Sequence, residues 1–419
     1  MRKIKKKIYD IAKKNIFFRK FIRESFRFYK RFKYLRYYLF NKVDEKLILF
    51  EVFNGRVFSD SPKALYLEML NDEKYKDYKF VWAFKDIEKH KEIFKNYKRT
   101  TLVKVNSKEY FNLCSKAKYL IINSIANESF KKKKNQICVQ CWHGTPLKKL
   151  RCDIEVDGSV LNTHSEIVKR NNRDIKNFDY FLSPSKFATE KFISAFNLKN
   201  ANKEDIIIEK GYPRNDFLFK YTNKDVDKIK KELNIPKNKK VIMYAPTFRD
   251  DEHTSGLGYT YKLGVDFDKL KEKLEKDYVI AFRAHYFIAN SFDFDKYKGF
   301  IYNVSDVDDV NDIYIISDIL ITDYSSVFFD YANLKRPMLF YMYDLDKYKN
   351  NLRGFYFDLD ILPGPIIEKE EDLIKEINNI DSYNDKYKEK YIKFNDKFNY
   401  LDDKNASKRV LEAVLNERK

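Results

Sequence analysis

Short runs of consecutive apolar residues recur along the chain, separated by longer stretches in which apolar side chains return every three or four positions. In the first half the runs are KLILFEV, YKFVWAF, TLVKV, KYLIIN, QICVQCW, DYFLS and DIIIE; in the second they are KVIMYAP, YVIAFR, GFIYN, DILIT and PMLFYM. A strand covered on both faces reads as continuous instead of alternating, so these runs predict parallel strands. With helix-length intervals between them they predict α/β, doubly wound sheets carrying helices on both faces. The polar segment 220–240, whose middle reads as a helix ending before Pro236, is the expected boundary. The chain is therefore divided into 1–40, 41–220 and 221–419. Two such units facing one another leave a cleft beyond the carboxyl ends of their strands, where ligands of open α/β sheets bind. No internal repeat interrupts this plan.

Charge changes the picture only at the N-terminus. Of the formal net +20, residues 1–40 carry +13, from fifteen Lys or Arg against Asp10 and Glu24, which leaves +7 for the rest. In the same segment Ile4, Ile8, Ile11, Phe18, Ile22, Tyr29 and Phe32 recur at helical spacing. A basic amphipathic helix rich in Phe and Ile suits an anionic lipid surface. The competing reading packs its apolar face on the protein's own core. Nucleic acid is not expected, since no finger, homeodomain or RNP signature accompanies the charge.

No stretch approaches a membrane span of about 18 uncharged apolar residues, and runs such as IFF are too short for a signal-peptide core. A peripheral protein on the cytoplasmic face of the membrane is expected. Cys114, Cys138, Cys141 and Cys152 are too few to staple 419 residues, which agrees with a reducing compartment. Cys138 and Cys141 form a CxxC inside an apolar run with no second pair, and read as strand residues. The run at 131–134, four lysines, reads as a solvated loop.

The residues with chemistry lie where predicted strands end. QICVQCW leads into His143, Gly144, Thr145 and Pro146: glycine permits close backbone approach, Thr145 can cap, and Pro146 suits a first helical turn. A histidine at such a point can act as a general base near neutral pH; the alternative is a satisfied core histidine. KVIMYAP leads to Thr247 and Arg249, and YVIAFR to Arg283, Ala284 and His285, two cationic side chains suited to phosphate oxygens. DILITDYSSVFFD supplies Asp323, Ser325, Ser326 and Asp330, the serines being N-cap types whose neighbouring amides could cradle a phosphate. Asp306, Asp308, Asp309 and Asp312 form a DxD-like cluster that reads as a helix start, so no metal is demanded.

At these residues the chain resembles the CDP-glycerol glycerophosphotransferases, which build teichoic acids and related capsular polymers. The resemblance rests on WHGTPLKKL, GYPRND, YAPTFRD, RAH and TDYSSVFFD, in that order across 142–330, and extends more weakly over 51–357. It implies a GT-B-like pair of Rossmann-type domains, an acceptor side at 41–220 and a CDP-alditol side at 221–419. His143 and His285 correspond to the family's active-site histidines. Its nucleotide and phosphate contacts fall on Trp142, Gly144, Thr145, Pro146, Arg214, Pro246, Thr247, Arg283, Ala284, Ser325, Ser326 and Asp330. The family's large polymerases carry an additional N-terminal portion; this length is closer to its primases and short transferases.

The implied reaction moves an alditol phosphate, glycerol phosphate first among the candidates, from a CDP-alditol to a hydroxyl of a lipid-linked or polymer acceptor. CMP is released and no cofactor is required. His143 would take the hydroxyl proton, while Arg283, His285 and the serine turn would neutralise the leaving phosphate. Two alternatives stay open: a GT-B glycosyltransferase using a CMP- or UDP-sugar, and a non-catalytic basic protein binding membrane or RNA.

Overall fold

The computed structural model describes residues 15–124, 131–154, 163–247, 253–254, 258–259, 264–284, 292–346 and 354–416. Every run quoted above contains a strand. The first sheet joins β1 (Asp44–Glu51), β2 (Lys79–Phe84), β3 (Thr100–Lys104), β4 (Ala117–Ile122), β5 (Ile137–Gln140), β6 (Tyr180–Ser183) and β7 (Ile207–Glu209). Its order is β3-β2-β1-β4-β5-β6-β7, all neighbours parallel. After the β8 strand (Lys240–Ala245) and a small antiparallel hairpin of β9 (His253–Thr254) and β10 (Gly258–Tyr259), the second sheet adds β11 (Tyr278–Phe282), β12 (Ile301–Asn303), β13 (Ile319–Thr322), β14 (Met338–Tyr341) and β15 (Ile366–Ile367). Its order, β12-β11-β8-β13-β14-β15, repeats the plan, again parallel throughout. This is the expected GT-B-like α/β architecture. The chain reverses direction of growth between β1 and β4 in one sheet and between β8 and β13 in the other, which fixes the two ligand crevices.

The first sheet is buried on both faces. One face covers Phe50, Trp82 and Phe84, whose rings stack in sequence at 5.1 and 5.7 Å; the other covers Val81, Leu120, Cys138 and Phe181. Cys138 is a β5 residue and Cys141 follows that strand, both are buried, and all four cysteines are free thiols.

The division of the chain needs one correction. Helix α1 (Ile16–Phe40) precedes the first sheet, and α2 (Asp60–Asn71) follows β1. The last helix, α3 (Ala406–Asn416), was grouped with the second sheet, yet it packs on α2: Val410, Leu411 and Val414 share a core with Ile48, Leu65 and Met69. In the second half, the helix Tyr383–Phe398 packs on Phe328 and Phe329 through Phe394 and Phe398. The chain thus crosses back and ties the two halves together.

The basic arm also differs from its sequence reading. Ile4, Ile8 and Ile11 lie outside the described residues. In α1, Tyr34 is buried, and it, Tyr37 and Tyr38 dock the helix on the first domain beside Phe111. Tyr29 and Phe32 of the stripe read from the sequence are exposed. They belong to a broader apolar surface running through Phe17, Phe21, Phe28, Phe32, Leu35 and Leu39, whose spacings of three, four and seven place them on one side of the helix. The lysine run at 131–134 is partly structural: Lys132 pairs with Asp179 at 3.0 Å, and Lys133 donates to the Asn41 carbonyl.

Candidate active site

The turn after β5 aims a histidine into the crevice. Gln140 closes the strand and its Oε1 accepts the Trp142 N–H at 2.9 Å. Trp142 then adopts a left-handed backbone (φ +50°), a conformation costing a non-glycine residue on the order of 1 kcal/mol or more and concentrated at functional turns. The His143 ring stacks on the Trp142 indole at 4.2 Å and meets the Phe53 ring at 5.5 Å. Its Nδ1 lies 2.8 Å from the Asn123 carbonyl oxygen. A carbonyl only accepts, so Nδ1 carries the hydrogen and Nε2 keeps its lone pair. Burial holds the His143 pKa below its ordinary value; the Asn123 carbonyl and Asp60 oppose this, and Arg214 and Arg151 reinforce it. A neutral imidazole with a free Nε2 is the state a general base requires.

The cleft in front of it has a volume of about 400 Å³ and is walled by both domains. His143 to Pro146 form the first wall; Pro246, Thr247, Arg283, Ala284, Ser325 and Ser326 form the second. On the second wall Asp323, just beyond β13, accepts the backbone N–H groups of Thr247 (2.8 Å) and Tyr324 (2.6 Å), locking two strand-end loops together. Arg283 donates from Nη1 to the carbonyls of Val304 (2.9 Å) and Val307 (3.0 Å). Burial pulls its pKa down while Tyr314 and the Asp309 and Asp308 carboxylates pull it up, and a guanidinium stays charged throughout the physiological range. Ser326 occupies the N-cap of the short helix Val327–Tyr331 but makes no side-chain capping bond. Its Oγ lies instead against Gly144, where an added Cβ would come within 2.8 Å. Glycine at 144 is what allows the two walls to meet.

Two residues expected among the phosphate contacts stand elsewhere. Arg214 donates through Nη2 to both oxygens of Asp330 (2.8 and 2.7 Å) and through Nη1 to the His143 carbonyl (2.7 Å). Both side chains are buried behind the cleft instead of lining it. Burial would lower the Arg214 pKa, but Asp330 and Asp60 more than reverse this, so the guanidinium is held charged. The pair joins GYPRND of one domain to TDYSSVFFD of the other. The acidic cluster is a second seam: Asp309 caps the helix Val310–Ile316 by accepting from Asn311 N at 3.1 Å and binds Lys63 at 2.7 Å, while Asp308 binds Lys89 at 2.6 Å. The helix-start reading accounts for the Asp309 cap and misses the cross-domain ion pairs. His285 and Arg249 lie outside the described residues.

Sequence reasoning passed over Asn123 and Asp60. Asn123 directs its carbonyl at His143, accepts the Phe53 N–H at 2.8 Å and donates to Asp60 at 2.8 Å. Its signal was its place, one residue past β4 at the point where strand order reverses.

The family model described as CDP-Glycerol:Poly(glycerophosphate) glycerophosphotransferase matches residues 33–416. A Teichoic acid poly(glycerol phosphate) polymerase of Staphylococcus epidermidis is 42% identical over 377 residues, covering 89% of this chain and 51% of that protein. One of Bacillus spizizenii is 41% identical over 377 residues, covering 89% of this chain and 92% of that protein. The chain thus spans about half the length of the first relative and nearly all of the second. Among solved structures, the Wall Teichoic Acid Polymerase TagF aligns with a TM-score of 0.82 at 40% identity, over 95% of this chain and 96% of that one. A histidine variant of TagF soaked with CDPG aligns equally well. With two thirds of its length and more matched, the chain belongs to the CDP-glycerol:poly(glycerophosphate) glycerophosphotransferase family.

Proposed function

We propose that this protein transfers glycerol phosphate from CDP-glycerol to a hydroxyl of a teichoic acid acceptor, releasing CMP. The observation that carries the reading is His143, neutral, with Nδ1 committed to a carbonyl and Nε2 left for the cleft, opposite a wall bearing Arg283 and two serines. His143 Nε2 accepts the proton of the acceptor hydroxyl. The hydroxyl oxygen bonds to the phosphorus that bears glycerol, and the anhydride bond to CMP breaks, the leaving oxygen keeping the electron pair. Arg283 and the Ser325 and Ser326 hydroxyls stabilise the charge that develops there. His285, two residues past Arg283 in RAH, is assigned to the same leaving group. The reading requires no cofactor beyond the donor.

The same reading seats the protein on the cytoplasmic face of the membrane. No helix among the described residues is long and apolar enough to cross a membrane. Phe17, Phe28 and Phe32 are respectively 84%, 74% and 69% exposed, on the side of α1 turned away from its docking tyrosines. Each phenylalanine buried in an apolar layer contributes roughly 1.5–3 kcal/mol, so the stripe and the basic residues around it form a surface anchor.

Purified protein incubated with CDP-glycerol and a lipid-linked acceptor should release CMP in step with a new phosphodiester. CMP-sugar or UDP-sugar turnover without a phosphodiester product would overturn the assignment. Replacing Phe21, Phe28 and Phe32 by serine should abolish sedimentation with phosphatidylglycerol vesicles while sparing transfer to a soluble acceptor; retained sedimentation removes the anchor.

A further inference from the structure

Three holds on His143 converge on one carboxylate that does not reach the cleft. Asn123, whose carbonyl meets His143 Nδ1, is buried and fixed by its side chain: Oδ1 accepts the Phe53 N–H at 2.8 Å, and Nδ2 donates to Asp60 Oδ2 at 2.8 Å. Arg214, which donates from Nη1 to the His143 carbonyl at 2.7 Å, brings that same nitrogen to 3.7 Å from the same Asp60 oxygen. Phe53, tied to Asn123 by its N–H, meets the imidazole edge-on at 5.5 Å. The other Asp60 oxygen accepts the Ser61 N–H at 2.6 Å, so the carboxylate is fixed in its turn. Asp60 opens α2 with a left-handed backbone (φ +64°), which Asp adopts more readily than most side chains. Trp142, next to the histidine, is left-handed too, and such positions concentrate where the surroundings hold a functional group in place. Asp60 itself is buried and does not line the cleft.

From this convergence we infer that Asp60 is the positioning residue of His143. Through the Asn123 side chain it holds the carbonyl that keeps the hydrogen on Nδ1, and through Arg214 it holds the main chain of the histidine. A base oriented by a third group is a recurring arrangement; here an amide stands between the carboxylate and the ring. That spacing has a consequence. A carboxylate bonded directly to the imidazole would stabilise its charged form, whereas a neutral carbonyl at Nδ1, with the charge one residue behind it, orients the ring and favours the imidazolium less. Burial sets the His143 pKa low; of the charged groups facing the ring, Asp60 raises it and Arg214 and Arg151 lower it. Around Asp60 stand Arg214, with Asp330 beyond it, and the Tyr212 hydroxyl and Cys141 thiol, which burial keeps protonated. The inference rests on the reading of His143 as the base, but the tautomer it predicts is observed without turnover.

The test uses the full chain with Asp60→Asn, which tolerates the left-handed backbone and leaves the bidentate Arg214–Asp330 pair in place. An amide offers one acceptor where the carboxylate offers two, so the Ser61 N–H or Asn123 Nδ2 loses its partner. Nitrogen-15 NMR of histidine-labelled protein, with the His143 signals assigned by their loss in His143→Ala, should show a single Nδ1–H tautomer in the wild type and a mixture in Asp60→Asn. His143 should also titrate at lower pH in the variant, because a negative charge has been removed, and the acid limb of kcat/KM should move down with it. The kcat should fall roughly 10²-fold, the cost of a displaced reacting group, with KM for CDP-glycerol and the unfolding midpoint close to wild type. Asn123→Ala keeps the carbonyl and removes its anchor. It should give the same mixed tautomer, which tests the relay even where Asp60→Asn does not fold, and the double variant should lose no more activity than the worse single one. An unchanged tautomer in either variant, an unchanged titration in Asp60→Asn, or additive losses in the double variant would overturn the inference. If the tautomer shifts as expected while the wild type releases no CMP, the positioning role stands and the transfer reading fails.

Discussion

On the first wall of the cleft the His143 ring is held by aromatic packing and a backbone carbonyl, whereas the second wall is built from loop-to-loop hydrogen bonds around Asp323 and Arg283. Both walls stand at the carboxyl ends of parallel strands in sheets of the same order. They differ in what they offer a substrate. The first presents one neutral nitrogen whose pKa burial depresses; the second presents a fixed cation and hydroxyls. A proton acceptor and an anion cradle need opposite surroundings, since desolvation keeps an imidazole uncharged while an anionic group needs charge and donors. Dividing them between two domains lets each have its own environment, and makes the join between the domains part of the geometry of the cleft.

Removing the base should have the largest effect. His143→Ala is expected to lower kcat by about 10²- to 10⁴-fold, the range for a lost general base, with little change in KM for CDP-glycerol. In the wild type, a base with a depressed pKa stays unprotonated to lower pH, so the acid limb of kcat/KM should fall below the ordinary histidine value of about 6.5. A pH series on the wild type measures this, and a limb at or above that value would contradict the burial argument. Near-normal turnover in His143→Ala would remove the base from the first wall and with it the contrast between the two.

Next in size is the join. Asp330→Ala leaves the buried Arg214 guanidinium without its bidentate partner, and breaking a buried pair in this way costs about 3–5 kcal/mol. Denaturant unfolding should show the loss as a lower midpoint. Because Arg214 also donates to the His143 carbonyl, turnover should fall in the folded fraction as well. An unchanged midpoint would mean that the two walls are aligned by the other contacts, namely Lys63–Asp309, Lys89–Asp308 and the C-terminal helix α3.

How far these features were legible in the sequence depends on the range of the interaction. Strand runs are local: KVIMYAP or YVIAFR announces a buried parallel strand wherever it occurs, and the second sheet follows from such runs except for β15, whose two residues sit among Pro363, Pro365 and their neighbours. His143 was legible because its neighbours carry the signal of a strand end. Arg214 and Asp330 were not separable from ligand contacts, since an arginine and an aspartate in motif positions look alike whether they meet a phosphate or each other across 116 residues. Asn123 acts through its main-chain carbonyl, a property every residue shares. The packing of α3 on α2 is a contact between the two ends of the chain, which no local pattern records.

The smallest effect should come from the second wall, where single contacts share the work. Ser326→Ala removes one hydroxyl and leaves the backbone, Gly144 and Arg283 in place. A hydrogen bond to a charged group contributes about 1.5–3 kcal/mol where it is fully formed, and a serine at the half-buried mouth of the cleft should deliver the lower part of that range, a KM for CDP-glycerol raised roughly tenfold. The kcat should move less than in His143→Ala, because the contact is made in the bound donor as well as in the transition state. Steady-state kinetics with CDP-glycerol varied at saturating acceptor separates the two parameters. If Ser326→Ala lowered kcat as deeply as the histidine variant while leaving KM alone, the hydroxyl would be acting on the leaving group only in the transition state, and the second wall would be a partner in the chemical step on equal terms with the first.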